Sequence, residues 1–269
     1  MRMKWLISLI LLVFVNVPLS VANEPKSNDD QEATVDVEID KLHIAGFGEP
    51  EVKDITENIH DIFKKKKKNR KIKFTHGFDI TLVMLKDSDW TEKVITKRMA
   101  KVMEIFGQCG VMITKAKLVM AHAPDNMGAD LSNDDAFKLN SKFPLESNNV
   151  MYFQQTEEDG NLAYAYIKKY PAQGSVFNRS WITYEVATEK YAAKKRRYNV
   201  DKWEEVHELG HILLNEGHPK VERKVNLMND RVVKYFGSVI DRRQCEKIRK
   251  DPYGVGIVRF LGSGPINLR

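Results

Sequence analysis

A short apolar segment in the C-terminal half of the chain carries three of the protein's seven histidines and leaves few options for its local fold. The segment is VHELGHILLNEGH, from Val206 to His218. Two of its histidines, His207 and His211, are four residues apart, and side chains at this spacing project from the same face of an α-helix. Unpartnered imidazoles are costly on a strongly apolar helix. The pattern therefore predicts a helix on one face of which the two imidazoles have polar binding partners.

Two imidazoles one helical turn apart can bind a single zinc ion. Glu208 is displaced around the helix from His207, so its carboxylate can reach a water molecule on the metal rather than the metal itself. Zinc lowers the pKa of such a water towards neutrality, and the carboxylate can accept its proton as the water attacks a carbonyl. The sequence therefore predicts a Zn2+ site with His207 and His211 as ligands and Glu208 as general base. The structural alternative is an amphipathic helix whose histidines only make hydrogen bonds.

A catalytic zinc ion usually has three protein ligands and one water. To supply a third ligand the chain must turn back after the helix, and Asn215 and Gly217 are able to adopt the left-handed conformation of such a turn. His218 follows immediately and is the predicted third ligand. Glu216, in the same turn, is the alternative.

The segment NLMN at positions 226–229 adds a methionine, Met228, soon after the histidines. In this order the residues resemble the metzincin clan of zinc peptidases, in which H-E-x-x-H-x-x-G-x-x-H precedes a tight turn that contains methionine. The resemblance implies that His207, His211 and His218 bind zinc, that Glu208 is the general base and that Met228 is the turn methionine.

The resemblance also implies an α+β, zincin-like fold: a mixed sheet whose edge strand binds extended peptide, an active-site helix and a small C-terminal subdomain. The chain departs from the family pattern near the third ligand. Leu214 stands at the family's glycine, and His218 comes one residue later than the family's third histidine. A turn one residue longer, with Asn215 or Gly217 taking the glycine's role, would reconcile the two. Asp230 stands where some metzincins keep a tyrosine ligand.

The first 22 residues differ from the rest of the chain. Arg2 and Lys4 precede an almost unbroken apolar run from Trp5 to Val15, and small residues follow. This order is typical of a cleaved signal peptide over residues 1–22, with a retained membrane anchor as the alternative. We expect a secreted or periplasmic protein that has no membrane association after cleavage. The leader has two basic and no acidic residues, so its removal lowers the formal net charge from +6 to +4, and we expect no nucleic-acid partner.

Residues 23–75 are predicted to form an N-terminal accessory segment or a removable prosegment. Apolar residues from Val52 to Phe63 recur at three- and four-residue steps and predict a helix. The basic run Lys64–Lys68 is too densely charged to pack and indicates a solvated boundary. Docking of this run on an acidic surface is the alternative.

Residues 76–269 are predicted to be the catalytic domain. Alternating and β-branched segments predict strands over 78–85, 111–120, 149–153, 162–167 and 181–186. Helices are predicted after caps at Ser88 and Asp201. The resemblance covers about residues 76–250 and implies a last helix around Gln244–Arg249.

The chain has two cysteines, Cys109 and Cys245. In an exported protein they could form one disulfide or remain two small buried side chains. The resemblance places them in elements that the family packs near each other.

Substrate-binding residues are less distinct. Gly160–Tyr164 resembles the family segment beside the cleft, which pairs with a peptide backbone; it is otherwise a turn that enters a strand. The candidate oxyanion donors are Tyr164, Tyr166 and Tyr184.

These patterns predict an exported, monomeric zinc-dependent endopeptidase that acts on protein or peptide substrates. Two alternatives stay open: a zinc hydrolase of a non-peptide amide, and a binding protein with a structural zinc and a basic docking surface. Glu208 separates the enzymes from the binding protein, because a structural zinc site has no use for that carboxylate.

Overall fold

A computed structural model describes a large part of the chain. The described residues are 46–66, 69–124, 149–155, 162–167, 178–188, 190–191, 193, 203–218, 225–229, 238–252, 254, 257–262 and 268. The predicted signal peptide over residues 1–22 lies outside them.

Seven strands within the described residues form one sheet. The strands are β1 (Glu51–Asp54), β2 (His76–Leu85), β3 (Val111–Ala121), β4 (Asn149–Gln154), β5 (Ala163–Tyr166), β6 (Arg179–Thr183) and β7 (Arg259–Phe260). Their order is β1-β3-β2-β4-β6-β5, with β7 paired to β2. The four central strands are parallel, whereas β1, β5 and β7 are antiparallel to their neighbours. The predicted α+β fold with a mixed sheet is confirmed.

The helices lie together on one face of this sheet. They are α1 (Thr56–Lys65), α2 (Glu92–Phe106), α3 (Glu204–Leu214) and α4 (Arg242–Arg249). Successive side chains of a strand point to opposite faces. In β2, Ile80 and Leu82 belong to the core cluster that includes the helices, whereas Val83 and Leu85 belong to a second cluster formed mainly by strands. Both faces of the central sheet are therefore buried, as parallel strands require.

The N-terminal part of the described chain differs from its prediction. Val52 lies in the edge strand β1, which pairs with β3, and the helix begins only at Thr56. Asp54 sets this boundary, because its carboxylate accepts a hydrogen bond from the Thr56 backbone nitrogen at 2.9 Å. The remaining apolar residues, Ile59 and Phe63 among them, pack into the main core.

The predicted cap at Ser88 is wrong. The Ser88 hydroxyl donates to the Leu85 carbonyl at 2.5 Å, so it belongs to the turn after β2. Helix α2 begins three residues further on, where the Thr91 side chain accepts from the Val94 backbone nitrogen. The strand predicted over 181–186 ends at Thr183 and continues as a 3-10 turn.

Helix α3 lies against β5 and β6 of the sheet and also contacts α2 and α4. A disulfide between Cys109 and Cys245 joins the 3-10 turn that follows α2 to helix α4. The predicted cysteine pair is thus present. Among the described residues, no helix is long and apolar enough to cross a membrane.

Candidate metal centre

Helix α3 begins with two buried acids, Glu204 and Glu205. Glu205 is fully buried and accepts hydrogen bonds from one nitrogen of Arg98 at 2.7 and 2.8 Å. Glu204 accepts a hydrogen bond from the Tyr191 hydroxyl. Burial, and then the negative charge of Glu204, raise the pKa of Tyr191, so the hydroxyl keeps its proton at neutral pH. Acids in the first turn also interact favourably with the helix dipole.

The predicted cap of this helix, Asp201, lies outside the described residues. The described helix starts after Trp203, and the two acids of its first turn bind Tyr191 and Arg98. At the other end Asn215 has a φ of 48°, in the left-handed region. The prediction that Asn215 or Gly217 turns the chain back is confirmed, with Asn215 as the residue that does so.

This turn brings three histidine rings together. The Nε2 atoms of His207 and His218 are 3.0 Å apart, and the Nε2 atom of His211 is 3.2 Å from each of them. His207 and His211 are buried, while His218 is exposed. The three nitrogens therefore form a small triangle between α3 and the segment that follows it, with one side open to solvent.

The opposite ring nitrogens of the two buried histidines are held by backbone carbonyls. His207 Nδ1 lies 2.7 Å from the Leu227 carbonyl oxygen, and His211 Nδ1 lies 2.7 Å from that of Glu216. A carbonyl oxygen only accepts, so each Nδ1 carries the proton of the neutral ring and each Nε2 presents a lone pair. This is the arrangement that metal-binding histidines commonly have.

The donor set fits a zinc ion. Ligand nitrogens around a tetrahedral zinc ion with bonds of 2.0–2.1 Å are about 3.3 Å apart, close to the spacing in this cluster. Without a cation, lone pairs directed at one another across 3.0–3.2 Å would repel. These three side chains are a set that could hold a metal ion.

Two acidic residues are close to the three histidines in the sequence and differ in their surroundings. Glu208 follows His207 in α3 and is 7% exposed. The Glu216 carboxylate lies 2.6 Å from Lys247 and 3.7 Å from Arg243, both on α4. Glu216 thus has cationic partners on the neighbouring helix, whereas its carbonyl holds His211.

Met228 lies beneath α3, in contact with Gly210. A Cβ atom added at Gly210 would be 2.6 Å from the Met228 sulfur, which is closer than atoms can approach. The turn is closed by Asn226, whose side-chain oxygen accepts from the Met228 backbone nitrogen at 2.9 Å. The same short segment therefore provides the Leu227 carbonyl that binds His207 and the Met228 side chain that packs against Gly210 of α3.

The remaining sequence-predicted residues lie elsewhere. Tyr164 and Tyr166 contact each other in β5, and the Tyr184 ring lies against Trp90. Their role as oxyanion donors stays a prediction. Gly160 is outside the described residues.

Three positions that support the centre escaped the sequence-based prediction. They are Arg98, Asn226 and Lys247, which bind Glu205, the methionine turn and Glu216 respectively. Arg98 and Lys247 are 107 and 31 residues from their partners, so no local spacing reveals them, whereas Asn226 is two residues from the Met228 nitrogen that it binds.

No family model matches the chain, and a search of curated proteins found no significant match. Among solved structures, the chain is similar to metalloproteinase-II from Bacteroides fragilis, at 12% identity over 83% of this chain and 70% of that chain, with a TM-score of 0.46. It is also similar to archaemetzincin from Methanopyrus kandleri, at 13% identity over 65% of this chain and 96% of that chain, with a TM-score of 0.44. At 12–13% identity, these likenesses concern the fold alone.

Proposed function

We propose that the protein is an exported, metzincin-like zinc endopeptidase. The observation that carries this proposal is the triangle of Nε2 atoms from His207, His211 and His218, with the two buried rings oriented by carbonyls. His218 is the proposed third ligand, because its ring nitrogen is in the triangle, whereas the Glu216 carboxylate is paired with Lys247.

Bound by these three nitrogens, a zinc ion would polarise a substrate carbonyl and make a water molecule more acidic. Glu208 is the proposed general base. Its carboxylate takes a proton from the attacking water as the new C–O bond forms, and it returns a proton to the leaving nitrogen as the C–N bond breaks. Glu208 directly follows His207 on the helix and is 7% exposed, which limits competition from solvent.

A peptide is the proposed substrate, since the motif resembles that of zinc peptidases and strand β5 lies directly against α3. Such a strand can align an extended backbone beside the metal centre. Export is supported by the leader-like sequence over residues 1–22 and by the Cys109–Cys245 disulfide, because disulfides persist in oxidising compartments. We propose residues 76–269 as the catalytic region of a monomer.

The direct test is Glu208→Gln, which keeps the side-chain volume and removes the base. We expect kcat/KM for peptide hydrolysis to fall about 10²–10⁴-fold, the range that a general base contributes, with zinc content unchanged. Glu246→Gln is the matched control, because Glu246 is a half-exposed acid on α4. Full activity in Glu208→Gln would rule out this carboxylate as the base, and zinc binding without hydrolysis of any amide by the wild type would favour a structural site.

A further inference from the structure

Helix α4 contacts the turn that holds His211. Lys247 donates to the Glu216 carboxylate at 2.6 Å, and Arg243 lies 3.7 Å from the same group. The Glu216 carbonyl oxygen accepts from His211 Nδ1 at 2.7 Å. The position of the oxygen that orients His211 is therefore tied to α4 through one residue.

The same helix contacts the turn that holds His207. The side-chain amides of Gln244 and Asn226 exchange two hydrogen bonds, at 2.8 and 3.2 Å. Asn226 in turn accepts from the Met228 backbone nitrogen, and the Leu227 carbonyl between them accepts from His207 Nδ1. Gln244 is 5% exposed, so this amide pair is shielded from water.

Helix α4 is itself fixed to the rest of the domain. Its start is closed by a capping box between Asp241 and Gln244, and Ile248 is fully buried in the main core. The disulfide joins Cys245 to Cys109 at the end of α2. The position of the helix is therefore fixed, and so are the starting points of the side chains that bind Glu216 and Asn226.

We infer that Lys247 and Gln244 are positioning residues of the metal centre, which act through Glu216 and Asn226 to hold the two carbonyls that orient His211 and His207. This inference rests on the proposed function, because it assumes that the three histidines bind zinc. Partners of metal-ligating histidines typically change metal affinity 10–100-fold when they are altered. Lys247 and Gln244 act one residue further out, so a smaller loss of about 3–10-fold is expected.

The direction of the change in zinc affinity distinguishes a positioning role of Lys247 and Gln244 from a direct effect of their charge on the metal. Lys247→Met removes a positive charge near the centre, and Gln244→Glu adds a negative one. By Coulomb's law alone, both changes would strengthen the binding of a cation. Release of the Glu216 carboxylate in Lys247→Met would also make a fourth ligand accessible. A loss of zinc affinity in both variants, with the fold of the metal-free forms intact, is therefore opposite to the charge effect and indicates misplaced ligands.

Gln244→Glu is a sharp probe of the second contact. The carboxylate can still accept from the Asp241 backbone nitrogen and from the Asn226 amide, as the Gln244 oxygen does at 3.0 and 2.8 Å. It cannot donate to the Asn226 oxygen, which the Gln244 amide nitrogen contacts at 3.2 Å. The cap of α4 is thus preserved while one bond to the methionine turn is lost.

The experiment measures the zinc dissociation constant of the full mature protein by chelator competition, with the thermal midpoint of each metal-free form as a folding check. We expect a rise of about 3–10-fold for Lys247→Met and Gln244→Glu, and recovery to within about twofold for Lys247→Arg, which keeps the ion pair. Arg242→Met is the matched control, because Arg242 also pairs with a glutamate on α4 but its side chain is 93% exposed. The visible absorption of the cobalt-loaded protein should change in the first two variants and not in the control.

Unchanged or tighter zinc binding in either variant overturns the inference for the turn which that variant contacts. An equal loss in Arg242→Met overturns it as well, because the effect would then belong to the helix in general. A wild type that binds no zinc, or that binds it equally well after His207→Ala, overturns the proposed function and this inference together.

Discussion

Gly210 is the residue of helix α3 that packs against the methionine turn, residues 226–229. Its backbone approaches the Met228 sulfur so closely that a single methyl group would overlap it. Met228 is 1% exposed and has little room to move. The pair sets the distance between the helix that bears His207 and the turn whose carbonyl orients it.

Gly210→Ala should therefore destabilise the protein even though alanine favours helices. Overpacking costs about 1–3 kcal/mol and the gain in helix propensity is about 1 kcal/mol, so a net loss of up to about 2 kcal/mol in the free energy of unfolding is expected. In urea unfolding, adding Met228→Ala should cost less in the Gly210→Ala background than in the wild type, because the clash is gone. Additive effects of the two substitutions would contradict the contact.

At the scale of single residues, the sequence predicts those features of the site that depend only on neighbouring positions in the chain. The proximity of His207 and His211 follows from their spacing on a helix, and the left-handed Asn215 follows from its residue type. The carbonyls of Leu227 and Glu216 could not be predicted, because every residue has a carbonyl and only the fold selects which one a ring meets.

The N-terminal turn of α3 is fixed to α2 by an unusually enclosed cation. The Arg98 guanidinium lies 5.6 Å from the centre of the Trp90 ring and 5.4 Å from that of Trp203, and it binds the fully buried Glu205. It also donates to the Val186 carbonyl in the 3-10 turn after β6. One side chain thus joins three elements at the start of the histidine-bearing helix.

Arg98→Met should leave the Glu205 charge buried without its cation, at a cost of about 3–5 kcal/mol in the free energy of unfolding. Adding Glu205→Gln should recover part of this loss, since the uncompensated charge is removed. Lys53→Met is the control, because Lys53 pairs with Glu92 at the surface, where a salt bridge contributes little to stability. Equal losses in the free energy of unfolding for Arg98→Met and Lys53→Met, measured in urea, would show that the buried Arg98–Glu205 pair contributes no more than a surface pair.

At the scale of elements, strands were predictable where alternation and β-branched residues agree, as in β2 and β3. The spacing of Val52 and Ile55, three residues apart, also predicts a helix over residues 52–55. Pairing of β1 with β3, which lies more than 50 residues away, decides their conformation, and local spacing carries no record of that partner.

At the scale of the whole molecule, the N-terminal segment 46–66 packs against the sheet that supports the metal centre. Strand β1 extends the sheet, and Ile55, Ile59 and Phe63 are at most 2% exposed in the main core. Lys66, in the basic run, donates to Glu104 of α2. We therefore propose that the described residues 46–66 are a permanent part of the domain and not a removable prosegment.

Ile59→Ala separates the two possibilities. Truncation of a fully buried isoleucine should lower the free energy of unfolding by about 2–5 kcal/mol, with kcat/KM of the folded protein unchanged. An inhibitory prosegment weakened by the same substitution would release the cleft. A rise in peptide hydrolysis without loss of stability would thus contradict a permanent role.

The most direct test of the three-histidine centre is the zinc content of the purified mature protein after dialysis against a weak chelator. We expect one zinc ion per chain in the wild type and in His122→Ala, which alters an exposed histidine paired with Asp87. We expect loss of the metal in His207→Ala, His211→Ala and His218→Ala, because two remaining nitrogens hold zinc poorly. Glu216→Ala should still take up one zinc ion, with lower affinity. A wild type without zinc, or a His218→Ala variant that keeps zinc while Glu216→Ala loses it, would contradict the three-histidine centre.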